Sequence, residues 1–371
     1  MDIPMINLKA QYRKTKKDIT KNIMEVLSEQ RLILGKYCRR LEENISNYTG
    51  VPHAISCANG TDALILSLMA LGIKEGDEVI TTPYTFFATA SSITLVGAKP
   101  VFVDIKKDDL NIDPKLIARA ITKKTRAVIV VHLFGKLCDI EEIVTLCSSY
   151  KIPVVEDMAQ SLGAGRGGIK AGGFGDIAAL SFYPTKNLGG IGEGGMVLTK
   201  RDDLGIKVRK LRVHGMGDTT YHHEMIGINS RLDEIKAAAL IAKLPHLEEW
   251  NRQRIENARF YNSRLKGLPI VLPGIPEDSS HIFHHYVLRT RYRDGLQTFL
   301  REKGIQTGIY YPVPLHMQGC FQYLGYREGS FPVSEEAAKR NLAIPVFPEL
   351  KKAEKEYIVE MIRLYFHEMT A

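Results

Sequence analysis

The stretch DIAALSFYPTKNLGGIGEGGMVLT, Asp176–Thr199, contains two apolar runs joined by a loop with one lysine, and five glycines follow this lysine within nine residues. The runs, DIAALSFY and GGMVLT, have the nearly continuous apolar character of strands buried on both faces. Lys186 lies three residues after the end of the first run, where partial burial lowers the pKa of an amine and makes its neutral, nucleophilic form accessible. The glycines let the backbone approach a flat ligand closely. The stretch therefore predicts a central-sheet strand followed by a loop that presents a reactive amine.

Similar apolar runs alternate with helical stretches between residues 50 and 200. The predicted strands are Asp77–Thr82, Lys99–Ile105, Arg126–Phe134, Ile152–Asp157, Asp176–Tyr183 and Gly194–Thr199. The predicted helices between them are Thr61–Leu71, Phe87–Val96, Pro114–Ile121 and Asp139–Tyr150. Because strands alternate with helices, we expect an α/β fold with a mostly parallel central sheet flanked by helices.

The pattern changes after Arg231. Leu232–Leu265 is helical and charged, with a break at Pro245, and the Pro- and Gly-rich residues 267–280 are typical of a linker. The remaining residues predict a smaller α+β unit with a strand at Ile282–Thr290 and helices at Asp294–Lys303, Ser334–Asn341 and Lys352–His367. We therefore predict an N-terminal arm and helix (1–35), a large ligand-binding α/β domain (36–245) and a small C-terminal α+β domain (246–371).

Charge and composition exclude several classes of protein. The 371 residues carry a net charge of +8, but the basic residues are scattered among acids. This pattern favours a solvated surface or phosphorylated metabolites over nucleic acid. The longest apolar run, Ala63–Ile73, is too short to cross a bilayer, and the start lacks the apolar core of a signal peptide. From these two observations we expect a cytoplasmic protein with no membrane partner. The five cysteines and the histidines lack metal-ligand spacing, so we also expect no metal.

Polar residues follow several of the predicted strands, where open parallel sheets bind ligands. Asn59-Gly60-Thr61 begins a helix whose free N–H groups suit a phosphate, although Asn59 or Thr61 could equally be an ordinary helix cap. Glu156-Asp157 ends a strand and could cap the next element, bind a metal or pair with a cation on a ligand. Gln160 could point the same way on a helical turn.

A phosphate cradle, a strand-end acid and a lysine able to form a Schiff base together describe a site for pyridoxal 5'-phosphate (PLP). In such a site the lysine holds the cofactor's aldehyde, and the acid keeps its pyridine nitrogen protonated. The residues TTPYTFFATA supply candidate aromatic faces. Two Gly-x-Gly-x-x-Gly spellings, at 163–168 and 190–195, do not lie between a strand and a helix, which argues against a dinucleotide site.

Long motifs in a fixed order run through nearly the whole chain. They include NLKAQY, ISCANGTDAL, GDEVITTPYTFFATA, VVEDMAQSLGA, SFYPTKNLGG, INSRLDEIKAA, YYPVPLH and FPVSEEAAKRNLAIPVFPEL. With these motifs the chain resembles the DegT/DnrJ/EryC1/StrS family, PLP-dependent aminotransferases of fold-type I that act on sugars. The resemblance implies transfer of an amino group, usually from glutamate, to a keto group of a nucleotide-linked sugar.

The resemblance also implies roles for individual residues. Lys186 holds the cofactor and carries the proton, and Asp157 pairs with the pyridine nitrogen. Further cofactor contacts implied are Gly60, Thr61 and Ser181 at the phosphate, Gln160 on the ring-oxygen side and Phe86 against the ring face. Asn229 is implied to reach the phosphate from a partner subunit across a His214–Arg231 loop, which makes a homodimer with shared active sites the active unit. Without the resemblance, the residues favour a helix cap at Asn229 and a surface charge at Arg231.

The motifs specify the substrate less closely than the cofactor. The implied substrate contacts are Arg231, Tyr310, Tyr311 and His316. Gln160 resembles relatives that aminate C3 of the sugar, whereas many that aminate C4 have histidine there, so C3 is favoured. Relatives acting on uronates have His-Tyr-Pro where this chain has Tyr310-Tyr311-Pro312. The alternatives are a C4 aminotransferase, a cyclitol aminotransferase and, from another class, a non-catalytic PLP-binding regulator; a dehydratase is disfavoured because those relatives replace the lysine with histidine.

Overall fold

The computed structural model describes residues 1–368, which are built around one seven-stranded sheet. In chain order the strands of this part are β1 (His53–Cys57), β2 (Glu78–Thr81), β3 (Lys99–Phe102), β4 (Thr125–Val131), β5 (Val154–Asp157), β6 (Gly165–Arg166), β7 (Ile169–Lys170), β8 (Ile177–Ser181) and β9 (Gly195–Thr199). The sheet order is β1-β9-β8-β5-β4-β2-β3, and β6 and β7 form a separate hairpin.

Strand direction explains where the glycine-rich loop lies. Strands β8, β5, β4, β2 and β3 are mutually parallel, whereas β9 is antiparallel to both β8 and β1. Antiparallel neighbours need no crossover helix, so the chain can leave β8 and return in β9 at the same sheet edge. The predicted mostly parallel sheet is confirmed, and Lys186 lies in this loop.

Helices cover both faces of the sheet. They are α1 (Leu8–Glu29), α2 (Lys36–Thr49), α3 (Gly60–Ala70), α4 (Phe87–Leu95), α5 (Pro114–Ala120), α6 (Ile140–Ser149), α7 (Asp202–Leu211) and α8 (Glu234–Lys243). Strand β4 shows why two layers are needed, because side chains alternate along a strand. Val128 and Val130 join one buried cluster, while Ala127 and Ile129 join the cluster on the other face.

A third core lies in the C-terminal part of the chain. Its elements are α9 (Leu247–Leu265), β10 (Tyr286–Arg289), α10 (Arg293–Glu302), α11 (Pro332–Arg340), β11 (Asn341–Ile344) and α12 (Lys352–Glu368), with β10 antiparallel to β11. Ile3 of the N-terminal arm is buried in this core, and α9 contributes Leu247 to the first core and Tyr261 to the third. The predicted division at residues 35 and 245 stays a prediction.

Some predicted boundaries were wrong. The strand expected over Ile282–Thr290 is limited to Tyr286–Arg289, because Phe283 has φ of +49°, outside the extended region. Strand β1, HAISC, was not predicted, since its small and polar residues give little hydrophobic signal. The expected break at Pro245 is present as a short 3₁₀ turn over Leu244–His246.

Among residues 1–368, no helix is both long enough and apolar enough to cross a membrane. Over the same residues, no group of three or more His, Cys, Asp or Glu side chains is placed to hold a metal ion.

Candidate active site

The carboxyl edge of the sheet brings the predicted chemical groups together. Strand β5 ends at Asp157 there, and Ser181 at the end of β8 pairs with Gly195 at the start of β9. On the other side of β9, Gly195 pairs with Cys57, the last residue of β1. Helix α3 begins three residues later, so its N-terminus lies at the same edge.

The start of α3 has both a cap and free donors. Asn59 caps the helix, because its side chain accepts a hydrogen bond from the Asp62 amide at 2.8 Å. The Gly60 and Thr61 N–H groups have no acceptor within residues 1–368. Ser181 Oγ accepts from the Tyr183 amide at 3.2 Å, which leaves its own proton to donate. These donors suit a phosphate, so the cap and the cradle proposed from the sequence are compatible.

The approach of α3 to β8 depends on the absence of a side chain. A Cβ added to Gly60 would lie 2.7 Å from Cβ of Ser181. Real Cβ atoms do not tolerate such a contact, and the obstructing atom cannot rotate away. Gly60 therefore allows the helix N-terminus and the Ser181 hydroxyl to face the same small volume.

Asp157 is a buried carboxylate with donors on both oxygens. It accepts from Thr89 Oγ1 at 2.8 Å and from the Ala159 amide at 3.2 Å. Burial raises the pKa of Asp157, although Thr89, Ala159 and the charge of Lys186 oppose this. A cation from a ligand would compensate the buried negative charge.

Glu156 has a different function from its neighbour. Successive strand residues point to opposite faces, so Glu156 faces away from Asp157. Glu156 is fully buried. Its carboxylate accepts hydrogen bonds from the amides of Gly172 at 2.8 Å and Gly175 at 2.6 Å and from His132 Nε2 at 2.9 Å. Burial alone would raise the pKa of Glu156, but these bonds outweigh it and the pKa is lowered. Glu156 therefore anchors the loop that follows the β6–β7 hairpin, and Asp157 is the acid that faces the site.

Lys186 lies in the loop after β8 with a free side chain. It is half-buried, and its Nζ has no hydrogen bond or ion pair with any of residues 1–368. Burial lowers the pKa of Lys186 to about 8, although Asp157 opposes the shift. The direction is the one predicted from its position after a buried strand. A larger fraction of this amine than of an ordinary lysine is therefore neutral near physiological pH, as a nucleophile toward an aldehyde requires.

Gln160 is positioned by the protein. Its Oε1 accepts from the Phe134 amide at 2.7 Å, and its Nε2 donates to the Tyr311 hydroxyl at 3.0 Å. Because one Nε2 hydrogen of Gln160 is donated to Tyr311, only the other Nε2 hydrogen can be donated to a ligand. Phe86 precedes α4 and is 56% exposed, with its ring 6.2 Å from that of Tyr311. The Phe86 ring is free to lie against a ligand.

The predicted substrate residues separate into two groups. Tyr311 contacts Gln160, and Tyr310 stacks on His285 at 4.1 Å between ring centroids and lines a cavity of about 70 Å³ beside Thr185. His316 is buried elsewhere, with Nε2 3.1 Å from Glu335 Oε1 and its ring against Phe331. No contact brings His316 to the other site residues within 1–368, and its role stays a prediction.

The Asn229–Arg231 segment is tied to the start of α3. Ser230 Oγ accepts from the Ala58 amide at 3.1 Å. The helix-cap alternative for Asn229 is wrong, because Asp233 caps α8 by accepting from the Lys236 amide at 3.0 Å. Asn229 is exposed, and the Arg231 guanidinium has no acceptor among residues 1–368. Both side chains are therefore available to a ligand or another subunit.

Cavity size alone would point to a different place. A larger cavity of about 550 Å³ lies at the opposite, amino edge of the sheet, lined by residues such as Val154, Asp176 and Lys200. It contains none of the predicted site residues. Thr89, which donates to Asp157, was missed by sequence reasoning; its position in the first turn of the helix predicted from Phe87, one residue after Phe86, was the available signal.

An α/β sheet that brings a helix N-terminus with free amides, an aspartate at the end of β5 and a lysine in the loop after β8 to one edge is typical of the fold-type I aminotransferase class. The model of the DegT/DnrJ/EryC1/StrS aminotransferase family matches residues 13–363, and the chain belongs to this family. The resemblance read from the motifs, the α/β fold and the aminotransferase class are thereby confirmed.

Individual relatives match over almost the full chain. The chain is 47% identical over 369 residues to a pleiotropic regulatory protein of Geobacillus stearothermophilus, covering 99% of each chain. It is 42% identical over 365 residues to the UDP-N-acetyl-3-dehydro-alpha-D-glucosamine 3-aminotransferase of Acidithiobacillus ferrooxidans, covering 98% of each. The crystal structure of S. venezuelae DesV in complex with a ketimine intermediate superposes with a TM-score of 0.96 at 38% identity, covering 98% of each chain.

Proposed function

We propose that this protein is a PLP-dependent aminotransferase that transfers an amino group from glutamate to a keto group, at C3, of a nucleotide-linked sugar. The observation that carries the proposal is the unpartnered Lys186 amine, with its lowered pKa, at the same sheet edge as Asp157 and the free amides of α3. A structural protein does not need this combination, and turnover with an amino donor separates an enzyme from a protein that only binds PLP.

The residues fit PLP group by group. Gly60, Thr61 and Ser181 present donors for the phosphate, and Phe86 offers a ring face. Asp157 offers a buried carboxylate that a protonated pyridine nitrogen would compensate. When bound, PLP supplies the electron sink and the amino-group carrier. Lys186 holds the cofactor while no substrate is present and moves the proton between carbon atoms when a substrate amine has displaced it.

The acceptor and the amino donor are assigned from the relatives and from side chains near the site. The A. ferrooxidans relative is named for amination at position 3 of a UDP-linked sugar, which agrees with Gln160 at the ring side of the site. The unpartnered guanidinium of Arg231 suits a carboxylate or phosphate in a bidentate contact. Tyr310 and Tyr311, whose ring centroids are 6.0 Å apart, offer aromatic faces against which a sugar can lie.

A homodimer with shared sites completes the proposal. The segment His214–Arg231 carries Tyr221 and Ile226, which are 90% and 89% exposed in the single chain. Large apolar side chains so fully exposed are typical of contact surfaces. With Asn229 exposed beside them, this segment has the character of one that contacts a second copy and reaches its phosphate site.

The decisive experiment is spectroscopic. The PLP-loaded protein is mixed with glutamate, and the absorption spectrum is expected to change from the pyridoxal to the pyridoxamine form. Nucleotide-linked 3-keto and 4-keto sugars and a keto-cyclitol are then added, and a 3-keto sugar is expected to restore the first spectrum. Restoration by a 4-keto sugar or a cyclitol would correct the acceptor. A protein that changes with none of a panel of amino acids would instead be a regulator, as the name of the G. stearothermophilus relative suggests.

Gly60 provides a separate prediction about the phosphate cradle. Gly60→Ala places a Cβ against Ser181 and pushes α3 away from β8, so PLP affinity is expected to fall at least about tenfold, or ~1.4 kcal/mol. Equilibrium titration of the cofactor-free variant with PLP measures the effect. Gly274→Ala is the control, because no atom lies within 4 Å of an added Cβ there. Equal affinities for both variants would contradict the cradle.

A further inference from the structure

The residue after the lysine is held by side chains from two other parts of the chain. Asn187 is buried, and its Nδ2 donates to Asn251 Oδ1 of α9 at 2.6 Å. Its Oδ1 lies 2.9 Å from Nδ1 of His284, just before strand β10. The backbone two residues further on is also held, because Lys243 Nζ donates to the Gly189 carbonyl at 2.7 Å. These hydrogen bonds therefore hold the loop that carries Lys186 against α8, α9 and the segment before β10.

The directions of these hydrogen bonds follow from one fixed end. Asn251 Nδ2 donates to the Leu162 carbonyl at 3.0 Å, so Asn251 Oδ1 is an acceptor. Asn187 must then donate through Nδ2 and accept through Oδ1, which requires a proton on His284 Nδ1. The chain of bonds thus has one consistent orientation, from His284 through Asn187 and Asn251 to backbone.

His284 is in turn held in place and neutral. Its carbonyl accepts from Arg254 Nη1 at 3.2 Å. Burial lowers the pKa of His284 well below its ordinary value, and the positive charges of Lys186 and Arg254 act in the same direction. A neutral ring has one N–H, and the geometry places it on Nδ1 toward Asn187.

We infer that His284 is a positioning residue: through Asn187 it fixes the backbone beside Lys186 and couples the lysine to the C-terminal β10–β11 unit. The inference rests on the proposed function in that Lys186 is the reacting amine. Loss of the His284 N–H leaves Asn187 Oδ1 buried without a donor, which disfavours the present loop conformation. The lysine then gains access to water and loses its buried environment.

The test measures Lys186 itself in the cofactor-free protein. Acetylation by acetic anhydride, followed by mass spectrometry across a pH series, gives the apparent pKa of the amine, expected at about 8 in the unchanged protein. In His284→Phe, which keeps a ring but no N–H, the apparent pKa is expected to rise by about one unit. The acetylation rate at pH 7 then falls about tenfold. His284→Asn keeps an N–H donor near the Nδ1 position and is expected to recover most of the difference.

His281 provides the matched control. It is equally buried in the same segment, stacks on Phe283 and has no contact with Asn187. His281→Phe is therefore expected to leave the Lys186 profile unchanged while testing the cost of losing a buried histidine. Thermal melting of each variant shows whether it folds.

A second pair of variants keeps the inference testable if His284→Phe does not fold. Asn187→Ala breaks the same bond from the other side, so its effect and that of His284→Ala, which removes the donor, are expected to be non-additive in the double variant. An unchanged Lys186 profile in Asn187→Ala, or additive effects, would overturn the inference. The proposed function is judged separately, by borohydride trapping of PLP at Lys186 in the unchanged protein.

Discussion

Lys186→Ala is expected to abolish amino transfer. The substitution removes both the amine that holds the cofactor and the group that moves the proton, so turnover is expected to fall by at least about 10⁴-fold. Fold and melting temperature are expected to change little, because Lys186 Nζ has no hydrogen bond or ion pair to lose within residues 1–368. The measurement is the rate of change between the pyridoxal and pyridoxamine spectra in single turnover with glutamate.

An exposed lysine supplies the comparison. Lys207 lies on α7 at the opposite edge of the sheet, and Lys207→Ala is expected to retain the activity of the unchanged protein. Partial recovery of Lys186→Ala by added small amines would support the role of the lysine as proton carrier. Rapid turnover of this variant without any added amine would refute the assignment.

The central sheet was predictable because its strands are apolar on both faces. Val128–Val131 is a continuous apolar run, and such a run fits a strand between two helical layers better than a half-exposed one. Strand β1 was not predicted because the small and polar residues of HAISC give little hydrophobic signal, and in the fold it pairs only with β9. Its position depends on residues about 140 positions later in the chain, to which no local pattern refers.

The site was predictable in part for the same reason. Parallel strands end at one edge, so Asp157, Ser181 and Lys186 could be placed together from the strand pattern. The choice between Glu156 and Asp157 could not be made from the residues alone, because both end the same strand. It depends on His132 and on the amides of residues 172–175, which satisfy Glu156 on the far face.

The relative positions of side chains in the small C-terminal unit were harder to predict from the sequence. The motif YYPVPLH placed Tyr311 and His316 five residues apart, and the sequence offered no reason to separate them. In the structure Tyr311 bonds to Gln160, while His316 bonds to Glu335 and lies against Phe331. Loop paths of this kind are set by tertiary contacts and not by local periodicity.

Asp157→Asn is expected to lower turnover by about 10²- to 10³-fold, because the ring nitrogen loses its charged partner in a buried site. Asparagine keeps the shape of the side chain and can still accept from the Ala159 amide, so the cofactor site itself is expected to persist. Single-turnover spectra with glutamate measure the rate. Thr85→Ser, which keeps the hydroxyl that contacts Thr89 and removes a neighbouring buried methyl group, is the matched control.

The pH dependence of stability gives Asp157→Asn a second signature. The pKa of Asp157 is raised in the folded, cofactor-free protein, so as the pH rises this carboxyl ionises in the unfolded chain before it does in the folded one. As the pH rises through these two pKa values, the buried charge therefore lowers the free energy of unfolding. Removing the charge is therefore expected to leave the melting temperature of the cofactor-free protein at pH 7 unchanged or higher. Because PLP stabilises only the form that binds it, the increase in melting temperature on adding PLP is expected to be smaller in the variant. A lower melting temperature without PLP, combined with an unchanged increase on adding it, would show that Asp157 supports the fold and that another acid faces the cofactor.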